Sequence, residues 1–268
     1  MRIRKNLARL SLLAVTTTML AGALATPGHA AGATVQVTSV NGVPELRYTG
    51  TGSAETVTLT QASRLVIVES SGALTALAGC SLDSLNPRRA TCDSAGQPVI
   101  NLVRLDLDGG SDVARIQNSR PVETIVSAGA GNDTYLGGQS SASSRVLFNG
   151  GEGTDTADYS AGTSGVLVDI DSAADDGRPA SGDTDTIFTT VENLIGTRFN
   201  DSLRGNNSAN VITSQGGGDS IRAGGGNDTV NAAFRSADIE LNCGTGTGDV
   251  LTRDAVEDRD AIIVSCEN

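Results

Sequence analysis

From Gly196 the chain runs GTRFNDSLR, GNNSANVIT, SQGGGDSIR and AGGGNDTVN, four consecutive units of nine residues. The sixth position of each unit is Asp201, Asn210, Asp219 or Asp228, and the eighth is Leu203, Ile212, Ile221 or Val230. A polar oxygen donor and an aliphatic side chain therefore recur in fixed phase. So short a period constrains the fold strongly, because one unit cannot bury an apolar face unless its neighbours stack on it. Each unit offers a Gly- and Asn-rich turn and a three-residue strand, so two units make a coil of eighteen residues. Stacking then puts Asp201 over Asp219 on one edge and Asn210 over Asp228 on the other. Strands about 4.8 Å apart bring successive carboxylates within reach of a shared ion.

The period and residue set resemble the RTX, or haemolysin-type, calcium-binding nonapeptide GGxGxDxUx. The fullest match is upstream, at Gly150, Gly151, Glu152, Gly153, Thr154, Asp155, Thr156 and Ala157, where Ala157 replaces a larger aliphatic residue. AGAGNDTYL, with Gly129, Gly131, Asn132 and Asp133, is a further unit, and LDGGSDVAR, with Asp112, a degenerate one. The resemblance covers about residues 129–230. It implies an all-β fold, a parallel β-roll or β-solenoid, with Ca²⁺ between stacked turns. The ligands it implies are Asp133, Asp155, Asp201, Asn210, Asp219 and Asp228, with turn carbonyls at Gly129, Gly131, Gly151, Gly153, Gly217 and Gly225. The chemistry is apt: Ca²⁺ takes six to eight oxygens, carboxylate and carbonyl alike, and glycine reaches the positive φ that turns consecutive carbonyls inward. Asn210 keeps an oxygen without the charge, so the edge of Asp201 and Asp219 is expected to hold the tighter ion. For Asp112, Asp238 and Asp249 an ordinary turn role is as good a reading.

Composition narrows the function classes. Arg2, Arg4, Lys5 and Arg9 precede an apolar run over residues 10–25 and then Gly28-His29-Ala30, the pattern of a cleaved secretory leader over residues 1–30. That leader holds four of the 19 Lys and Arg, none of the 31 Asp and Glu, and the only His, leaving 15 cationic side chains against 31 acidic ones, a net charge of −16. Without His, a Ser-His-Asp or Cys-His mechanism is not available, and zinc loses its commonest ligand. So acidic a surface does not suit nucleic acid; cations are the natural partners. After leader cleavage no apolar stretch is long enough for a membrane span, so the protein is expected outside the cell.

Residues 31–106 show short alternating runs at 35–37, 45–48, 57–59 and 103–107, with an apolar run at 65–68, punctuated by glycines. They predict a β-rich segment capping the repeats, or a small β-domain of its own. The four cysteines of an exported chain suggest disulfides; Cys80 with Cys92 and Cys243 with Cys266 close two short loops and are favoured. The calcium-binding region is expected over residues 107–235. Its steps from Asp112 to Asp133 and Asp155 are 21 and 22 residues, longer than one coil, which predicts in each a loop insertion or an irregular coil, an insertion being placed at 140–144. Residues 157–195 break the repeat. There Asp171, Asp175, Asp176, Asp183 and Asp185 crowd a Gly- and Ser-containing loop that does not fit an EF-hand and reads as solvated. Residues 236–268 form a C-terminal cap, and the CG-to-CEN arrangement resembles one in secreted actinobacterial calcium-binding proteins.

These readings favour an exported, non-enzymatic calcium-binding protein whose folding is coupled to the ion. Two alternatives stand beside it: a Ca²⁺-dependent β-helical enzyme on acidic polysaccharide, using Arg198, Arg204 or Arg222, and a cell-surface adhesion module. A protein or glycan partner is not specified by the sequence.

Overall fold

Alternation of small apolar and polar residues, interrupted by glycine turns, gives short strands and, among the described residues, one 3₁₀ turn, Pro179–Ser181. The computed structural model describes residues 32–94, 99–140, 143–232, 238–253 and 263–266. The leader expected over residues 1–30 lies outside them. So do parts of the expected C-terminal cap and of the loop expected at 140–144. The fold is all-β, and most strand pairs are parallel.

Three sheets account for the described strands. The second and largest is continuous: Thr56–Ala62, Val113–Asn118, Thr134–Leu136, Thr156–Asp158, Asn193–Ile195, Val211–Thr213, Thr229–Ala232 and Val250–Arg253 pair in parallel. Leu65–Ser70, Arg89–Cys92 and Cys80–Leu82 extend it in antiparallel beyond Thr56–Ala62; from Val113–Asn118 onward the chain leaves this sheet after each strand and returns one step along it. Through the first part the intervening strands are Val43–Thr49, Leu102–Asp106, Glu123–Ala130, Arg145–Glu152 and Thr186–Ile187, which with Ala33–Val40 and Leu74–Ala76 form the first sheet. Later they are Leu167–Asp169, Ser202–Arg204, Ser220–Arg222, Glu240–Asn242 and Ile263–Val264, which form the third. The first sheet gives way to the third around residues 167–187.

The register steps explain the uneven spacing of the turn aspartates. Asn193 pairs with Val211 and Val211 with Thr229, both steps of 18 residues, as the repeat predicts. Val113 pairs with Thr134 and Thr134 with Thr156, steps of 21 and 22; Leu102, Glu123 and Arg145 take the same steps in the first sheet. Of the loop insertion and the irregular coil expected for these steps, the described residues show the second. These coils are wider throughout, because strands of eight residues, Glu123–Ala130 and Arg145–Glu152, replace strands of three.

Width sets the core. Wide coils enclose Tyr135, Phe148 and Tyr159, whose rings lie 5.6 Å apart for Tyr135 and Phe148 and 5.8 Å apart, edge to face, for Tyr135 and Tyr159. Narrow coils have room for one aliphatic rung per strand: Leu194, Leu203, Ile212, Ile221, Val230 and Leu241, all buried. Each such rung contributes about 1.5–3 kcal/mol by burial, a small reserve against the acidic turns beside it. At the N-terminal end the stacking becomes antiparallel, through Ala33–Val40 with Val43–Thr49 and Thr56–Ala62 with Leu65–Ser70. Cys80 and Cys92 face each other in register on the antiparallel strands Cys80–Leu82 and Arg89–Cys92, and are bonded; Cys243–Cys266 is the other disulfide. Both favoured pairings are present.

Candidate metal centre

The turn aspartates are held by a repeated hydrogen bond that runs along the stack. The backbone N–H of Glu55 donates to Asp112 Oδ1 at 2.7 Å, that of Asp112 to Asp133 Oδ1 at 2.7 Å, and that of Asp133 to Asp155 Oδ1 at 2.8 Å. The Asp155 N–H donates to Glu192 Oε2 at 2.8 Å. Further along this edge Asn210 N–H donates to Asp228 Oδ1 at 2.8 Å and Asp228 N–H to Asp249 Oδ1 at 2.9 Å. The other edge repeats the pattern: Val166 N–H to Asp201 Oδ1, Asp201 N–H to Asp219 Oδ1, and Asp219 N–H to Asp238 Oδ1, at 2.9, 2.9 and 3.1 Å. Each carboxylate thus reads the backbone one coil back.

One oxygen of each carboxylate is used by this ladder, and what the second oxygen meets differs from turn to turn. The Oδ2 atoms of Asp112, Asp133, Asp155 and Asp228 are buried and accept no hydrogen bond; Asp219 Oδ2 makes none of ordinary geometry, although the Ser214 side chain lies close enough to ease its ionisation. Leaving such an oxygen dry and unpaired costs on the order of 1–3 kcal/mol, more when it is charged. Burial is accordingly the main cause raising these acids. Asp112 and Asp219 are pushed up to about 7 and Asp155 to about 6, each against the amide that donates to it and with a neighbouring carboxylate adding to the rise. Asp133 and Asp228 are raised for the same reason.

Asp201 and Asn210 stand apart. Both Asp201 oxygens are satisfied by the chain: Oδ2 by the Thr197 N–H at 2.6 Å, and Oδ1 by the Thr197 hydroxyl at 2.9 Å as well as by Val166. Asn210 accepts from the Asn206 N–H at 2.9 Å and donates from Nδ2 to the Glu192 carbonyl at 3.0 Å.

The glycines named from the sequence occupy the turns in front of these acids. Gly129, Gly131, Gly151, Gly153 and Gly217 have positive φ, at 109°, 139°, 106°, 139° and 107°. A Cβ at Gly131 would run into the Gly110 carbonyl oxygen, and one at Gly153 into the Gly131 carbonyl oxygen, so the turn carbonyls of successive coils stack directly. Gly225 is different: its neighbours Gly224 and Gly226 take the positive φ, and a Cβ on Gly225 would come no nearer than 3.3 Å to Asn207 Oδ1 and Thr245 Oγ1. At Gly150 a Cβ would strike the Asp155 carboxylate, which therefore folds over its own turn.

Sequence reasoning left Asp112, Asp238 and Asp249 undecided, and all three are buried in the ladders. Glu55 and Glu192 were missed. Neither sits in a glycine-rich nonapeptide, and only the pairing of Thr56 with Val113 and of Thr156 with Asn193 brings them into line. The crowded acidic loop is corrected: Asp171 and Asp175 are exposed, but Asp176, Asp183 and Asp185 are buried, Asp183 paired with the buried Arg178, and Asp176 and Asp185 accepting backbone N–H groups of Ile187 and Val146. Among the described residues no three His, Cys, Asp or Glu side chains converge on one point, and no helix is long and apolar enough to cross a membrane. No family model and no curated protein matches the chain.

Proposed function

We propose that this chain is an exported calcium-binding β-roll protein without catalytic activity, in which Ca²⁺ completes the stacked turns and is coupled to their folding. The observation that carries this reading is the row of buried carboxylate oxygens without a hydrogen-bond partner at Asp112, Asp133, Asp155 and Asp228, beside turn carbonyls stacked through positive-φ glycines. A hard cation suits carboxylate and carbonyl oxygens of this kind. Asp112, Asp133, Asp155, Asp219 and Asp228 would hold the ions, with carbonyls of turns such as 129–131 and 151–153. The bound ion would neutralise carboxylates that otherwise face one another across a few ångströms. The two disulfides suit an oxidising compartment outside the cell.

The arginines considered for polysaccharide chemistry are engaged elsewhere. Arg204 pairs with Asp169 at 3.2 Å, Arg222 makes two bonds to Glu240, and Arg198 lies over the Phe199 ring at 5.3 Å.

The test is thermal unfolding of the chain from residue 31, followed by far-ultraviolet circular dichroism, first in EDTA and then in millimolar Ca²⁺, with calorimetric titration of the ion. A higher melting temperature with Ca²⁺ and saturable heat are expected. Identical melting in both conditions would overturn the reading.

A further inference from the structure

Asp201 and Asn210, whose oxygens the chain itself satisfies, belong to one coil, and that coil divides the remaining acidic turns into two groups. Before it stand Asp112, Asp133 and Asp155, each N–H donating to the next carboxylate and the row ending on Glu192. After it stand Asp219 and Asp228, whose N–H groups donate to Asp238 and Asp249. On the edge of Asp155 the ladder breaks at this coil: the Glu192 N–H turns back to the Asp155 carbonyl at 3.2 Å, and Asn210 Oδ1 accepts from Asn206 in its own turn.

The two groups sit on cores of different size. Coils carrying the first enclose Leu105, Leu107 and Ile116, then Tyr135, Phe148 and Tyr159. They continue at the N-terminal end into antiparallel strands, two of them joined by Cys80–Cys92. The eighteen-residue step from Val211 to Thr229 buries one aliphatic rung per strand, Ile212 and Ile221, with Ala223. In a stack each coil touches only its neighbours, so a weak end opens on its own. Two rungs are little against the entropy of ordering such a coil. They must also hold Asp219 and Asp228, whose Oδ2 atoms are buried without a hydrogen bond of ordinary geometry.

We propose, on the calcium reading above, that Ca²⁺ is held in two separate groups of turns, that the coil of Asp201 and Asn210 between them holds none, and that only the second group, from Val211 onward, requires the ion to fold. Calcium is then a switch on one end of the stack. The strands from Val43–Thr49 to Ser202–Arg204 stay assembled without it, and the ion bound at Asp219 and Asp228 lets the later coils form against Asn193–Ile195 and Ser202–Arg204, with which they pair.

Amide hydrogen exchange of the chain from residue 31, in EDTA and in millimolar Ca²⁺ at one pH, with calorimetric titration of the ion, reads the switch directly. In EDTA residues 211–213, 220–222 and 229–231 are expected to exchange as an unfolded chain does, while residues 113–118 and 123–130 keep their protection. Ca²⁺ is expected to raise protection in the first set by about a hundredfold at a free concentration about a hundred times its Kd. Asp228→Asn is expected to remove most of that gain and to leave residues 113–118 as they are in the wild type. Saturable heat with protection lost from both sets together in EDTA overturns the proposal and leaves the calcium reading standing. Undiminished protection of 211–231 in EDTA overturns the proposal whatever the heat. No heat, with protection the same in EDTA and in Ca²⁺, overturns the calcium reading and the proposal with it.

Discussion

Asp155 and Asp201 occupy matching turn positions, yet the second oxygen of Asp155 is dry while that of Asp201 takes the Thr197 N–H. Replacement by asparagine should separate them. Asp155→Asn removes a charge the metal-free protein holds at a cost, so melting in EDTA is expected to stay level or rise, while the increment from Ca²⁺ shrinks. Asp201→Asn sets an amide N–H₂ against the donors of Thr197 and Val166 and loses at least one charge-assisted hydrogen bond, worth about 1.5–3 kcal/mol. Its destabilisation is expected to be the same with and without Ca²⁺. Chemical denaturation of both variants in EDTA and in Ca²⁺ reads these outcomes; a calcium-dependent defect in Asp201→Asn would place an ion where the geometry places a threonine.

At the scale of one turn, backbone shape and stacking decide what a substitution does. Gly153 combines a φ of 139° with a Cβ direction blocked by the Gly131 carbonyl, so Gly153→Ala must both strain its own backbone, at about 1–3 kcal/mol, and push apart two coils. Gly225→Ala meets its nearest atoms at 3.3 Å with no positive φ, and a loss below about 1 kcal/mol is expected in the same denaturation assay. The nonapeptide made much of this legible in advance: one period fixed Leu203, Ile212, Ile221 and Val230 as buried rungs and put their acids on opposite edges. Where the period failed, so did foresight. The step from Thr156 to Asn193 spans 37 residues, and no local pattern encodes a register set by sheet exchange. Hence Glu192 escaped notice. Asp176, Asp183 and Asp185 looked solvated because their segment is held by long-range contacts, Thr186 pairing with Leu147, Asp185 accepting the Val146 N–H and Arg178 reaching Ser140, which spacing alone does not reveal.

Across the whole molecule the acids act together, and the sign of their effect on stability is fixed by burial. Asp112, Asp155 and Asp219 are raised to about 7, 6 and 7, so in the metal-free fold each binds its proton more tightly than the unfolded chain does. Linkage then makes stability greatest below the usual carboxylate range near 4 and lowers it as pH climbs through 6 and 7. General repulsion in a chain with 15 cationic side chains and 31 acidic ones after residue 30 acts in the same direction. Melting in EDTA is therefore expected to fall steadily from pH 4.5 to pH 8. With Ca²⁺ the dependence reverses, because the ion competes with protons for the same oxygens: affinity rises over that range and binding releases protons. Calorimetric titration at pH 6.5 in two buffers of different ionisation heat measures that release. A proton count near zero, or melting in EDTA that rises with pH, would show that the dry oxygens at Asp112, Asp155 and Asp219 are already ionised and stabilised without a metal.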